Sequence, residues 1–196
     1  MTKKEREFVR YVKAECRKHG IRCIFRKVSY FRTTPGSCIG YFDDANKVLA
    51  VAMKRSDWIE TLAHEFAHLT QWQDGIDLWH KSERSVPLME KWLLGKPVRR
   101  IKRHLEICRD LELDNEKRTV KIIKKFKLNV DLDNYIRKAN AYIHFYNHIY
   151  HTRKWNIGSE NPRTDRRKLS VIPANFRMNY SKIPKKIQKI YFEQEV

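Results

Sequence analysis

The chain has no CxxC pair, and its four cysteines, Cys16, Cys23, Cys38 and Cys108, stand far apart. That spacing excludes a four-cysteine zinc ribbon and gives no disulfide framework, so reduced and mostly buried thiols are expected. No apolar run approaches the roughly 20 residues that cross a bilayer. Residues 1–7 are not followed by the apolar stretch of a signal peptide. A soluble, cytoplasmic protein without a membrane partner is the expectation. There is also no glycine-rich phosphate loop and no RNA- or DNA-reading motif.

Acidic residues are in short supply: 23 Asp and Glu face 42 Lys and Arg, a formal net charge of +19. The excess is spread over the N-terminal segment, residues 96–103, 117–127 and 153–189. A field of this size holds a protein near polyanions. Two readings stay open, a basic surface that binds nucleic acid non-specifically and one that is merely solvated. With 196 residues the chain can bury a full-sized core. The expected organisation is one domain over residues 1–152, with a basic C-terminal extension, 153–196, packed on it.

Hydrophobic spacing predicts an α+β chain. Residues 3–18 read as an amphipathic helix with Phe8, Tyr11 and Val12 on one side and Gly20 as the stop. Residues 21–30, 38–42 and 47–53 read as strands, the last two joined by a turn at Asp43-Asp44-Ala45-Asn46. Residues 33–37 read as a loop. After a helix around residues 59–71, the glycine and proline punctuation of 73–97 predicts irregular chain. Long helices follow at 98–127 and 133–151. The tail, with Pro162, Pro173 and Pro184, reads as extended segments and short helices.

The most informative stretch is His64-Glu65-Phe66-Ala67-His68. Two histidines four apart lie one turn above each other on a helix, so both imidazoles reach one metal ion. Glu65 lies near that ion without having to bind it, the place of a general base for a metal-activated water. Ile59, Leu62, Phe66 and Leu69 form an apolar stripe that anchors the helix, with Thr61, His64, Glu65 and His68 on the other side. Asp57 followed by Glu60 reads as its capped start.

A catalytic zinc takes three protein ligands and a water. His80, Glu106, Glu112 and Glu116 compete for the third place. On a wheel of about 100° per residue with Ile101 at zero, Glu112 falls at about 20°, inside the apolar stripe of the long helix. Glu116 falls at about 60°, at its edge, and Glu106 and Asp110 point to solvent. A carboxylate within a buried stripe is costly unless it is paired or bound to metal. Glu112 is therefore the expected third ligand, with an ion pair to Arg109 as its bland alternative. Glu116, four residues on, is expected to accept the second ring N–H of a ligating histidine.

HEFAH together with Glu112-Leu113-Asp114-Asn115-Glu116-Lys117-Arg118 resembles the zincin-like metallopeptidases of the gluzincin branch. Small members of that branch pair HExxH with a downstream helix carrying a Glu ligand and an acid four residues later. This chain departs from them in having Glu116 where Asp is usual. Residues 135–142 and 180–184 are similar to metallopeptidases encoded by bacteriophages, which implies a host cytoplasm. The resemblance implies a zincin-like core: a small mixed or antiparallel sheet, the HExxH helix, the ligand helix and a helical C-terminal extension. It also implies zinc as cofactor and a protein or peptide substrate cut at internal bonds. In that core an edge strand, here residues 47–53, holds substrate backbone in extended form.

The SprT-like proteases, which use three histidines, are the rival family, with a non-catalytic basic protein as a further alternative. His80 would be the third histidine there, but it sits between Trp79 and Lys81 without that family's expected neighbours. His144, His148 and His151 alternate with Tyr142, Tyr146 and Tyr150 and read as an aromatic, partly buried helix. One of these side chains is expected to stabilise the oxyanion.

Overall fold

The computed structural model describes residues 1–32, 36–155 and 163–192, with residues 191 and 192 described by their backbone alone. Residues 33–35 of the expected loop and Pro162 lie outside the described residues. The fold is mixed α and β, with a three-stranded and a two-stranded sheet. No described helix is long and apolar enough to cross a membrane. The chain forms two compact units, residues 1–75 with 115–130 and residues 76–114 with 131–196.

The first unit opens with α1 (Lys3–Lys18), whose Thr2 and Glu5 form a reciprocal capping box. Phe8, Val12 and Cys16 bury its apolar face. Five strands follow: β1 (Arg22–Arg26), β2 (Phe31–Arg32), β3 (Ser37–Cys38), β4 (Gly40–Asp43) and β5 (Val48–Ala52). β2 and β3 pair as a separate antiparallel ribbon. The larger sheet has the order β1-β5-β4, with β1 parallel and β4 antiparallel to β5.

Residues 47–53 are therefore not an edge. β5 is the central strand, and all five of its residues are buried. Val-Leu-Ala-Val-Ala is an unbroken apolar run, which suits a strand covered on both faces. The edges of the sheet are β1 and β4. Between β4 and β5, Asp43 Oδ1 accepts from the Asn46 amide at 2.8 Å, which fixes the predicted turn.

α2 (Trp58–Gln73) carries the HExxH sequence and buries Ile59, Leu62, Phe66 and Leu69. Asp57 precedes it without capping it through its side chain. The Asp57 carboxylate is instead held by Arg55, whose Nε and Nη2 donate to its two oxygens at 2.8 Å each. Phe66 packs edge-on against Phe8 and Tyr11, and both of these rings meet Phe126 at 4.9 Å between centroids. Phe126 is the last residue of α4 (Ile101–Phe126), so this aromatic cluster ties the end of α4 to α1 and α2.

The second unit contains α3 (Asp77–Leu93), where the sequence predicted irregular chain. Pro87 lies inside that helix. A proline there costs on the order of 3 kcal/mol, and packing on one face offsets it. Ser82, Ser85 and Met89 are buried, and Ser82 and Ser85 return their hydroxyls to the carbonyls of Trp79 and Lys81. Gly95, at φ +89°, ends the helix.

α5 (Leu132–Thr152) is capped by Asp131, which accepts from the Asn134 amide. Its apolar face joins Leu105 and Cys108 of α4 and Ile172 and Ile187 of the tail in one buried cluster. The tail forms α6 (Arg166–Val171) and α7 (Lys185–Phe192). Buried Asn140 of α5 anchors it, donating to the carbonyls of Pro173 and Asn175 and accepting from Tyr180 Oη at 2.6 Å.

Candidate metal centre

α2 places His64 and His68 on one side, their rings edge to face with centroids 4.9 Å apart. On α4, Glu112 stands one turn ahead of Glu116. One ligand atom each from His64, His68 and Glu112 lies within 4.8 Å of the others, a group able to hold a metal ion. Among the described residues no other set of three does so.

Two imidazoles and a carboxylate are the donor set of a catalytic zinc with a fourth position left for water. A tetrahedral site wants such atoms about 3.3–3.6 Å apart, since each sits about 2.0–2.2 Å from the ion. The donor chemistry of the residues present fits a metal ion, and their ligand atoms lie within 4.8 Å of one another.

The groups behind these ligands set their tautomers. His68 Nδ1 lies 2.9 Å from Gln71 Oε1, and Gln71 is fully buried. An Nδ1–H donated to that amide oxygen leaves Nε2 as the lone-pair donor. His64 Nδ1 is 3.4 Å from Glu116 Oε1 and 3.0 Å from Asn115 Nδ2. Both Asn115 and Glu116 are wholly buried.

With Nε2 of His64 given to a metal, Nδ1 carries the proton and needs an acceptor. Glu116 is one. Asn115 Oδ1, buried with no hydrogen-bond partner, becomes the other after a half-turn of its amide. The wheel had set Glu112 deeper than Glu116, whereas Glu116 is the fully buried carboxylate and Glu112 is half-buried. Helix α4 is covered on the side facing His64, and a wheel drawn from one helix cannot contain that neighbour.

Glu65 is 8% exposed, almost enclosed beside the two histidines. Edge strand β4 approaches it closely: a Cβ built on Gly40 would lie 2.6 Å from Thr61 Cγ2 and 3.0 Å from Glu65 Cγ. Burial first, and then the Glu65 carboxylate, push the Cys38 thiol upward. Burial and then Glu112 push the Cys108 thiol up to about 12, so it is an inert core thiol. Tyr146 of α5 also feels Glu112. Burial, then Tyr142 and Glu112, hold its phenol protonated well beyond the ordinary range.

The remaining candidates are elsewhere. Arg109 is bound to Asp110 and Asn147, not to Glu112. Asp110, its side chain 44% exposed, is paired with Arg109, and Glu106 is half-buried. His80 is exposed on α3 beside Glu83 and is not part of the three-ligand group. His144 and His148 are fully buried on α5, with His144 stacked on Tyr180.

Sequence reasoning missed Gln71, Asn115 and Gly40. Gln71, three residues after His68 on one helix, was within reach of a spacing argument; the other two depend on which elements pack together. Comparison with protein-family models, with curated protein sequences and with solved structures found no match for this chain.

Proposed function

We propose that this chain is a zinc-dependent metallopeptidase with a zincin-like, gluzincin-type core. One observation carries the reading: two imidazoles and a carboxylate converge from α2 and α4, with the nearly enclosed Glu65 between the histidines in sequence. His64, His68 and Glu112 hold the ion. When bound, zinc supplies a Lewis acid that polarises a carbonyl and makes a water acidic near neutral pH. Glu65 would take the proton of an attacking water as the water oxygen bonds to the peptide carbonyl carbon. It then returns the proton to the departing amine as the C–N bond breaks.

Gln71, Glu116 and Asn115 orient the imidazoles. β4 is an edge strand of its sheet and passes close to Glu65, where an extended substrate backbone would lie alongside it.

The test is metal content together with turnover. Purified chain is analysed for zinc and incubated with a mixed peptide library before and after chelation and zinc return. Cleavage that follows zinc and disappears in Glu65→Gln supports the reading. A zinc-loaded chain that cuts no peptide, or a Glu65→Gln variant that cuts as well as the parent, removes it.

A further inference from the structure

The N-terminal half of α4 and the facing turns of α3 enclose an open cavity of about 620 Å³. Five cations line it: Lys81, Arg84, Arg99, Arg100 and Arg103. His80 and His104 complete its polar wall, and Ile107 is its single aliphatic residue. No Asp or Glu belongs to the lining.

Several cations elsewhere have an acid beside them: Lys4 with Glu7, Lys18 with Glu15, Arg55 with Asp57, and Arg118 with Asp74. In the cavity Lys81 keeps an exposed partner, Asp77. Among the described residues, no ion pair involves Arg84, Arg99, Arg100 or Arg103.

The first turn of α4 contains no acidic residue, although a helix N-terminus favours one. The crowding registers on His104. Burial first, and then Arg84 and Arg103, disfavour its protonated form. Like charges gathered around a concavity repel one another until an anion enters.

We infer that this cavity is a binding site for the phosphodiester backbone of a nucleic acid, read by charge and not by base. Arginine forks match phosphate oxygens two at a time. No Phe, Tyr or Trp ring lines the cavity to stack a base, which argues against a site for a free nucleotide and for a backbone contact. An acidic protein partner would want apolar anchors at its centre, and only Ile107 offers any. The site is separate from the metal ligands, and the inference stands whether or not the chain cuts peptides.

The experiment compares two triple variants of the full chain that lose equal charge. Arg84→Gln/Arg99→Gln/Arg103→Gln alters the cavity. Lys117→Gln/Lys121→Gln/Lys124→Gln alters three exposed lysines near the other end of α4. Binding of a labelled duplex is read by fluorescence anisotropy from about 50 to about 200 mM salt, with inorganic triphosphate and an acidic peptide as competitors. The cavity variant is expected to lose about tenfold or more at the lower salt and to flatten the log–log salt slope by about three. The lysine variant is expected to change far less, and circular dichroism confirms that both keep their helices. Equal losses in the two variants would assign binding to the overall +19 field and overturn the site. So would an undiminished cavity variant, or triphosphate or acidic peptide displacing duplex at equal phosphate or carboxylate concentration.

Discussion

Gln71 Oε1 stands 2.9 Å from Nδ1 of His68, one turn further along the same helix and with no exposure to solvent. The amide fixes which nitrogen of His68 carries its proton, and so which one is offered to an ion. Removing it leaves the histidine in place but free to turn or to change tautomer. Gln71→Leu, close in volume, is expected to lower metal affinity about 10- to 100-fold while the helix persists. Competition with a graded series of chelators measures this, and unchanged affinity would detach Gln71 from the site.

The ligand set makes a contrast between two acids of α4. Glu112→Ala is expected to lose the bound metal, whereas Glu106→Ala, six residues earlier and outside the three-ligand group, keeps it. Elemental analysis of the two purified variants decides. Metal retained in Glu112→Ala and lost in Glu106→Ala would reverse the assignment.

Glu65→Gln is nearly isosteric and removes only the basic oxygen. It is expected to bind zinc as the parent does and to lower peptide turnover by several orders of magnitude, with thermal unfolding little changed. Loss of zinc in this variant would mean that Glu65 is a ligand and not the base.

Gly40 is where β4 passes closest to α2. A methyl group there meets Thr61 Cγ2 at 2.6 Å and the carbonyl of Ala50 at 3.1 Å. One neighbour is a β-branched side chain and the other is sheet backbone, so neither yields cheaply. Gly40→Ala is expected to destabilise the fold by about 1–3 kcal/mol, the range for overpacking a core, and Gly40→Val by more. Urea midpoints at constant slope give the measurement.

His144 and His148 make stability depend on acid. Burial, then Arg109, brings His144 down to about 4, and burial, then Lys168 and His151, brings His148 to about 4. Unfolded histidine titrates near 6.5, at about the ordinary value. Between those values the unfolded chain binds more protons than the folded one, so stability is complete above about pH 6.5 and falls as pH drops toward 4. The combined loss is on the order of 5 kcal/mol. Denaturant midpoints at pH 7.5, 5.5 and 4.5 follow it, and His148→Phe, which has no proton to gain, should show a shallower decline.

Local spacing was enough for much of this molecule. The HExxH interval puts His64 and His68 on one helical side whatever the surroundings, because 3.6 residues per turn is a property of the backbone. The period of α1, the Asp43–Asn46 turn and the long α4 and α5 were legible for the same reason, since their determinants lie within a few residues of one another. Local signals misled where tertiary packing outweighs them. Proline and glycine in residues 73–97 suggested broken chain, yet buried Ser82, Ser85 and Met89 hold α3 through Pro87. The order β1-β5-β4 made the expected edge strand a central one. The deep burial of Glu116, the placement of Asn115 at His64 and the approach of Gly40 to Glu65 were decided by which elements lie side by side. Such contacts join residues as far apart as 52 positions, as His64 and Glu116 are. No period in the sequence encodes that pairing; it is fixed only when the apolar faces of separate elements bury one another.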